Sequence, residues 1–168
     1  PAAKKQRLDR VLPAGAHLLR VASATGAAAT FTLKVTAPDP LPNDSCGDAP
    51  ALSIPGTASG DTTWATNEVA FPLATSCTGY YVDGGELFYA LDLAERQTVT
   101  IDLTPGPGFD PALYVLSACG EEPVCVGGVD RVGAGVPERL VFTAPAAGTY
   151  YIGVDGAAGG GTFTLSVE

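Results

Sequence analysis

The sequence predicts an all-β protein: an antiparallel β-sandwich of jelly-roll type with an extra β-hairpin at its N-terminus. Three observations lead there. Short runs of alternating apolar and polar residues recur along the chain, bounded by turn residues. Gly (21) and Pro (14) are abundant and Met is missing, while Thr, Val and Ala are prominent, a composition that suits strands joined by tight turns. Finally, "TFTLKV" at 30–35 returns as "TFTLSV" at 162–167. The match extends upstream, where "PAGAHLLRVASATGAAATFTLKVT" (13–36) lies against "PAAGTYYIGVDGAAGGGTFTLSVE" (145–168) with only small gaps. A whole strand, turn and strand is therefore repeated, with the matched Gly15 and Gly148 separated by 133 residues, which reads as the period of a tandem array.

Taken in order, residues 1–37 form the hairpin. Its only helix-friendly stretch, "AAKKQRLDRVL", is broken by Pro13 and Gly15. Phe31, Leu33 and Val35 share one face of the second strand, and "HLLRV" supplies a less regular first strand. A segment this short cannot bury enough surface to fold alone. It needs a host: a preceding domain, the body of its own chain, or the body of a neighbouring copy. Residues 38–43 are a proline-rich linker at the heart of "TAPDPLPNDSCGDAP". Residues 44–168 form the sandwich, with strands expected at "ALSIPG", "TASGDTTWAT", "LFYALDL", "QTVTIDLT", "ALYVLSA", "RLVFTA", "TYYIGVD" and "TFTLSV". Alternation assigns Val99, Ile101, Leu103, Leu113, Val115, Tyr150, Ile152, Val154, Phe163, Leu165 and Val167 to the core, with aromatic filling from Phe88 or from Leu87 and Tyr89. The opposite faces, including Tyr151 and Gly153, read as small or polar.

The 168 residues, 46% of them apolar, suffice for one domain core. No run approaches the roughly 18 apolar residues of a membrane-spanning helix, so no membrane insertion is expected, and no segment resembles a signal peptide. The chain opens at Pro1 rather than Met, so we expect a mature or excised piece of a longer precursor. The net charge of −9 is unevenly spread. Residues 1–38 hold six basic residues (Lys4, Lys5, Arg7, Arg10, Arg20, Lys34) against Asp9, or +5, while the remainder carries −14. That asymmetry favours docking of the basic piece on an acidic body and disfavours nucleic acid. Cys46, Cys77, Cys119 and Cys125 contain no closely spaced pair suited to zinc, so two disulfides in an oxidising compartment are expected. We pair Cys46 with Cys77 and Cys119 with Cys125, in preference to the other two connectivities.

Enzyme chemistry has little to work with. His17, the only histidine, aligns with Tyr150 and reads as a strand position; there is no G-x-S-x-G elbow, and oxidised cysteines offer no thiolate. Glu121 and Glu122 are adjacent acids in a short loop, which are usually solvated. No catalytic residue is assigned. No cofactor is required, but calcium is the cation to consider, because Asp44, Asp48, Asp61, Asp83, Glu86, Asp110 and Asp130 fall in turns or at strand ends. Asp44 and Asp110 are the candidate ligands, set against the ordinary preference of Asp for turns. Trp64, Tyr80 and Tyr81 are candidates for stacking on a sugar, though packing explains them as readily. Asn43 begins an N-D-S glycosylation triplet. "GGVDRVGAG" and "GAAGGG" read as turns, since neither opens a helix that would bind phosphate.

The blocks "NDSCGDAPAL", "GTASGDTTWATN", "GGELFYALDLAERQTVTIDLTPGPGFDPALYVLSACG" and "RLVFTAPAAGTYYIGVDG" together resemble the bacterial pre-peptidase C-terminal domain, most of all its paired-cysteine variants in surface proteins of myxobacteria. The resemblance covers residues 43–168, and the first 36 residues look like the tail of a second copy. It implies a jelly-roll sandwich in a secreted, non-catalytic accessory role, some relatives of which bind calcium and substrate. The expected function is a structural repeat of a secreted or cell-surface assembly, a filament among the options. In it the hairpin, through Phe31, Leu33, Val35, Arg20 and Lys34, packs on a neighbouring sandwich, so the partner is the chain itself or adjacent repeats. The alternative is a substrate-binding or targeting module of a secreted hydrolase, calcium-dependent in some relatives.

Overall fold

The computed structural model describes residues 8, 10, 12, 15–28, 30–36, 39, 41–71, 73, 76–120, 123–157 and 159–168. The chain divides into two compact units, Pro1–Asp39 and Pro40–Glu168. The second unit holds eight strands: β1 (Gly56–Asp61), β2 (Leu87–Leu93), β3 (Thr98–Pro105), β4 (Pro111–Leu116), β5 (Cys125–Val129), β6 (Glu138–Thr143), β7 (Gly148–Gly156) and β8 (Thr162–Val167). They form two antiparallel four-stranded sheets, β1-β8-β3-β6 and β2-β7-β4-β5. The predicted all-β sandwich is thus present.

The core faces follow the alternation. Val99, Ile101, Leu103, Leu113, Val115, Tyr150, Ile152, Val154, Phe163, Leu165 and Val167 are all buried in one cluster with Leu87 and Tyr89. Tyr89 meets Phe163 edge-on at 6.3 Å and Phe142 meets Tyr150 at 5.2 Å, arrangements that add to plain area burial.

Two of the strand assignments shift. The "ALSIPG" stretch contributes an isolated bridge, Ala51 to Ala90, and at its end Gly56 opens β1; Pro55 between them has no N–H to give a ladder. β5, "CVGGV", had no alternation to reveal it; it pairs with β4 in the only connection that keeps both strands in one sheet. β1 stops at Asp61, whose carboxylate accepts from Thr63 N at 2.9 Å and starts a 3-10 turn at Thr62–Trp64.

A larger correction concerns the repeated pair. β7 and β8 do not pair with each other: β7 lies between β2 and β4, and β8 between β1 and β3, in opposite sheets. The repeated unit is an arch that crosses the sandwich, not a hairpin. Each of its strands is central and hydrogen-bonded on both sides. The N-terminal copy behaves accordingly. Among its described residues no strand forms, and a turn at Ser23–Gly26, with Gly26 N donating to Ser23 O at 3.4 Å, is the local structure. Phe31, Leu33 and Val35 are 66%, 50% and 70% exposed. Strands built for neighbours on both sides gain little from pairing with each other. The expected features on Lys4, Lys5, Arg7, Asp9 and Pro13, on linker residues Pro38 and Pro40, and on Glu121 and Glu122 lie outside the described residues.

The outer face of β2-β7-β4-β5 is also buried, contrary to the small-or-polar expectation. Phe88, Ala112, Tyr114 and Leu116 form a second cluster there with Val69, Phe71 and Val82 from the β1–β2 connection. Every residue of β4 is buried as a result. Tyr114 packs edge-on against Phe71 at 5.6 Å and Phe88 at 6.4 Å. Its ring lies over Gly153, the residue opposite it on β7 and opposite Phe88 on β2. A side chain at Gly153 would stand inside the Tyr114 ring.

The disulfides fasten this covering. They join Cys46 to Cys119 and Cys77 to Cys125, which overturns both expected pairings. The β4–β5 turn is already closed by the ladder pair Leu116–Cys125 and by Ser117 N donating to Val124 O, so a Cys119–Cys125 bond would tie what is tied. Instead Cys46, in a 3-10 turn, is tied to the β4–β5 connection at Cys119, and Cys77, in the β1–β2 connection, is tied to β5 at Cys125, closing separations of 73 and 48 residues.

Two outcomes are expected in urea melts under non-reducing conditions. Replacing Cys46 and Cys119 together with Ala should cost roughly 2–5 kcal/mol, as for native disulfides closing long loops. Gly153→Ala should cost about 1–3 kcal/mol by overpacking the Tyr114 ring, with the far-ultraviolet dichroism of the sheets retained.

Candidate functional site

Strand register gathers acids at one end of the sandwich. Asp61 closes β1, Glu86 precedes β2, Asp110 precedes β4, Asp130 follows β5, Glu138 opens β6 and Asp155 lies near the end of β7, and the antiparallel pairings bring these ends together. In sequence Arg131 follows Asp130 and Arg139 follows Glu138, Arg139 pairing with Asp102 on β3.

Most of these carboxylates hold loop backbone. Asp44 accepts from Thr66 N at 2.7 Å and Thr66 Oγ1 at 3.0 Å. Glu68 accepts from Cys46 N at 2.8 Å. Glu86 Oε1 takes the N–H groups of Glu68, at 2.8 Å, and Val69. Glu138 Oε1 takes those of Arg131 and Val132, and Asp155 Oδ1 takes that of Gly156. In each, a backbone N–H donates to a carboxyl oxygen. They do for the loops what ladders do for strands.

Two of the clamps are deeply buried. Glu86 and Asp155 are fully enclosed, and Glu86 Oε2, Asp155 Oδ2 and the Tyr114 hydroxyl oxygen have no partner. Burial, with Asp155 nearby, pushes the Glu86 carboxyl up to about 8, and burial pushes Asp155 up to about 7. The same burial, with Glu86 and Asp155 beside it, holds Tyr114 well above the ordinary phenol value.

Asp110 and Asp130 differ from the clamps. Asp130 is 9% exposed, and Asp110 Oδ1 is buried without a partner. Both line an open cleft of about 450 Å³ together with Tyr80, Tyr81, Arg131 and Val132. Burial, then the charges of Asp110 and Glu138, raise the Asp130 carboxyl above its usual range.

The expected site residues separate accordingly. Asp44 is engaged by Thr66, and among the described residues no group of three or more His, Cys, Asp or Glu is arranged to hold a metal. Tyr80 and Tyr81 share the cleft, while Trp64 is half-buried and not part of it. Asn43 is buried, its side chain donating to Phe88 O at 3.2 Å, which removes it as a glycan acceptor in the folded protein. Arg20, Lys34 and His17 are exposed on the N-terminal unit. Asp155 and Glu138 went unnoticed in the sequence. An acid interrupting the apolar run "YYIGVDG" was the available signal for the first.

The chain is thus a two-sheet sandwich with disulfide-pinned coil over one face and a carboxyl-clamped pole, and paired cysteines of this kind belong to an oxidising compartment. Residues 85–156 match the family model of the bacterial pre-peptidase C-terminal domain, which bears out the resemblance drawn from the sequence. Among solved structures, the pre-peptidase C-terminal domain of a collagenase from Bacillus anthracis is 16% identical, covering 71% of this chain and 93% of that one, with a TM-score of 0.46. PliG of Aeromonas hydrophila, a periplasmic inhibitor of g-type lysozyme, is 20% identical over 71% and 95%, with a TM-score of 0.41. CorA, a surface-associated copper-binding protein of Methylomicrobium album BG8, is 13% identical over 71% and 96%, with a TM-score of 0.43. No curated protein matches the chain.

The buried carboxyls set a pH dependence. Their folded values lie above the ordinary 4.5 and 3.8, so the folded state holds protons that the unfolded chain releases. Their stabilising contribution is full below the unfolded values and is lost as pH rises through about 7 and 8. The thermal midpoint should therefore fall from mildly acidic to mildly alkaline buffer. Glu86→Gln, which keeps an acceptor for Glu68 and Val69, should make that fall shallower.

Proposed function

We propose that the chain is a non-catalytic repeat module of a secreted or cell-surface assembly, in which the N-terminal segment of one unit serves as the seventh and eighth strands of another sandwich. One observation carries the reading. Residues 13–36 repeat β7 and β8, and in the C-terminal copy those strands occupy the interior of both sheets. Phe31, Leu33 and Val35 match the buried Phe163, Leu165 and Val167, and Leu19 and Val21 match the buried Ile152 and Val154. Such a segment is patterned to fill a sandwich from within rather than to extend an edge. Its host is the preceding repeat of a longer array or the body of a second copy whose own arch is displaced. Serial exchange of this kind is head-to-tail and propagates into filaments. The basic charge of the segment, including Arg20 and Lys34, complements the acidic body.

A second reading is favoured by the family match: an accessory domain that targets a secreted hydrolase to its substrate, with calcium at the acidic pole. A calcium-dependent rise in melting temperature, abolished by a chelator, supports that role.

The two readings separate in light scattering and negative-stain imaging of the full chain beside a variant lacking residues 1–38. Chains or fibres formed only by the full protein support exchange of the arch. Two folded monomers at all concentrations rule out self-assembly and leave a preceding repeat as the host.

A further inference from the structure

We infer that the cleft between the Tyr80–Tyr81 loop and the connections β3–β4 and β5–β6 is a recognition site for an alkyl primary ammonium group, the head of a lysine side chain on a partner protein. The inference does not rest on exchange of the arch, although Ala157 of the β7–β8 connection also lines the cleft.

Asp110 and Asp130 stand on its wall. Unlike the other acids of this pole, they hold no backbone: no hydrogen bond engages Asp130, and Asp110 Oδ1 is buried without a partner. A buried carboxyl oxygen without a donor is costly, and the Asp110 charge adds to the cost of ionising Asp130. A ligand that brings N–H donors and a positive charge relieves both at once. An ammonium group brings three donors, and the two carboxylates provide its acceptors.

Tyr80 and Tyr81, each 59% exposed, line the same cleft. Their rings suit the aliphatic stem of lysine, and their faces attract its cation. The space, about 450 Å³, is larger than the head group alone requires and accommodates the stem.

Other ligand classes fit less well. A hard divalent cation needs about six to eight oxygens, and no three-acid group is arranged for one among the described residues. Anionic ligands meet two carboxylates. A neutral sugar would satisfy acceptors without offsetting their charge. A free diamine would place its second ammonium in a cleft that already contains Arg131, whereas a peptide-borne lysine offers backbone carbonyls there.

The test is a titration of the ¹⁵N-labelled full chain, followed by amide shifts, with Nα-acetyl-L-lysine methylamide. The norleucine analogue, putrescine, cellobiose and calcium chloride are run in parallel. Saturable shifts are expected at Tyr80, Tyr81, Asp110 and Asp130 with the lysine derivative, and weaker binding with putrescine. Asp130→Asn, whose spectrum away from the cleft reports that it folds, should weaken lysine binding about tenfold or more, as should the exposed double variant Tyr80→Ala/Tyr81→Ala. Arg131→Gln should strengthen it, an effect that a merely structural role would not produce. The proposal is overturned if the norleucine analogue or cellobiose binds as well as the lysine derivative. It also fails if only calcium shifts these amides, if putrescine outbinds the lysine derivative, or if Asp130→Asn leaves affinity unchanged.

Discussion

One sheet of this protein is buried on both faces along β4 and much of the adjoining β2 and β7, and that constraint organises everything around it. A doubly buried sheet in a small sandwich must be covered by something, and here the cover is coil, chiefly the β1–β2 connection. Coil has no ladder, so its backbone groups and its position have to be fixed by other means. The fold uses three: disulfides from Cys46 to the β4–β5 connection and from Cys77 to β5, carboxyl groups that collect loop N–H groups, and the Phe71–Tyr114–Phe88 cluster pressed against Gly153. Each is local and directional. Together they hold a loop as firmly as a strand would be held.

The acids of the pole are consequences of the same problem. Glu86 is fully buried because the coil it fastens lies over it, and the enclosure that makes its bonds to Glu68 and Val69 strong also raises its affinity for a proton. Counting Asp and Glu in turns therefore misleads as a guide to metal sites. What distinguishes a binding carboxylate from a clamp is unspent acceptor capacity, and at this pole Asp110 and Asp130 combine it with access to an open cleft.

The strands that alternate cleanly were legible: β3, β7 and β8 show their core face in the sequence because period two and one-sided burial coincide. β4 betrayed its double burial in the unbroken "ALYVL" run, a signal of two covered faces. β5 was hidden because Gly127 and Gly128 carry no side chain to alternate. The cysteine pairing was not legible, since nearness in sequence says nothing about which segments lack other fastening. Nor was the arch. The repeat revealed that two strands recur, but an identical sequence is compatible with strands that pair with each other and with strands that part into opposite sheets. Pairing partners reside elsewhere in the chain. In the candidate site, the acids and the two tyrosines were visible as residue types, whereas their division into clamps and free groups depended on loop paths that carry no periodic pattern.

The placement of β7 and β8 also orders events in time. β1 has no strand neighbour except β8, and β2 none except β7. Until the last quarter of the sandwich is available, its first two strands have nothing to pair with across their full length. Closure must wait for contacts between segments about sixty residues apart for β2 with β7 and about a hundred for β1 with β8, the kind of long-range pairing that slows folding and leaves edges open to wrong partners.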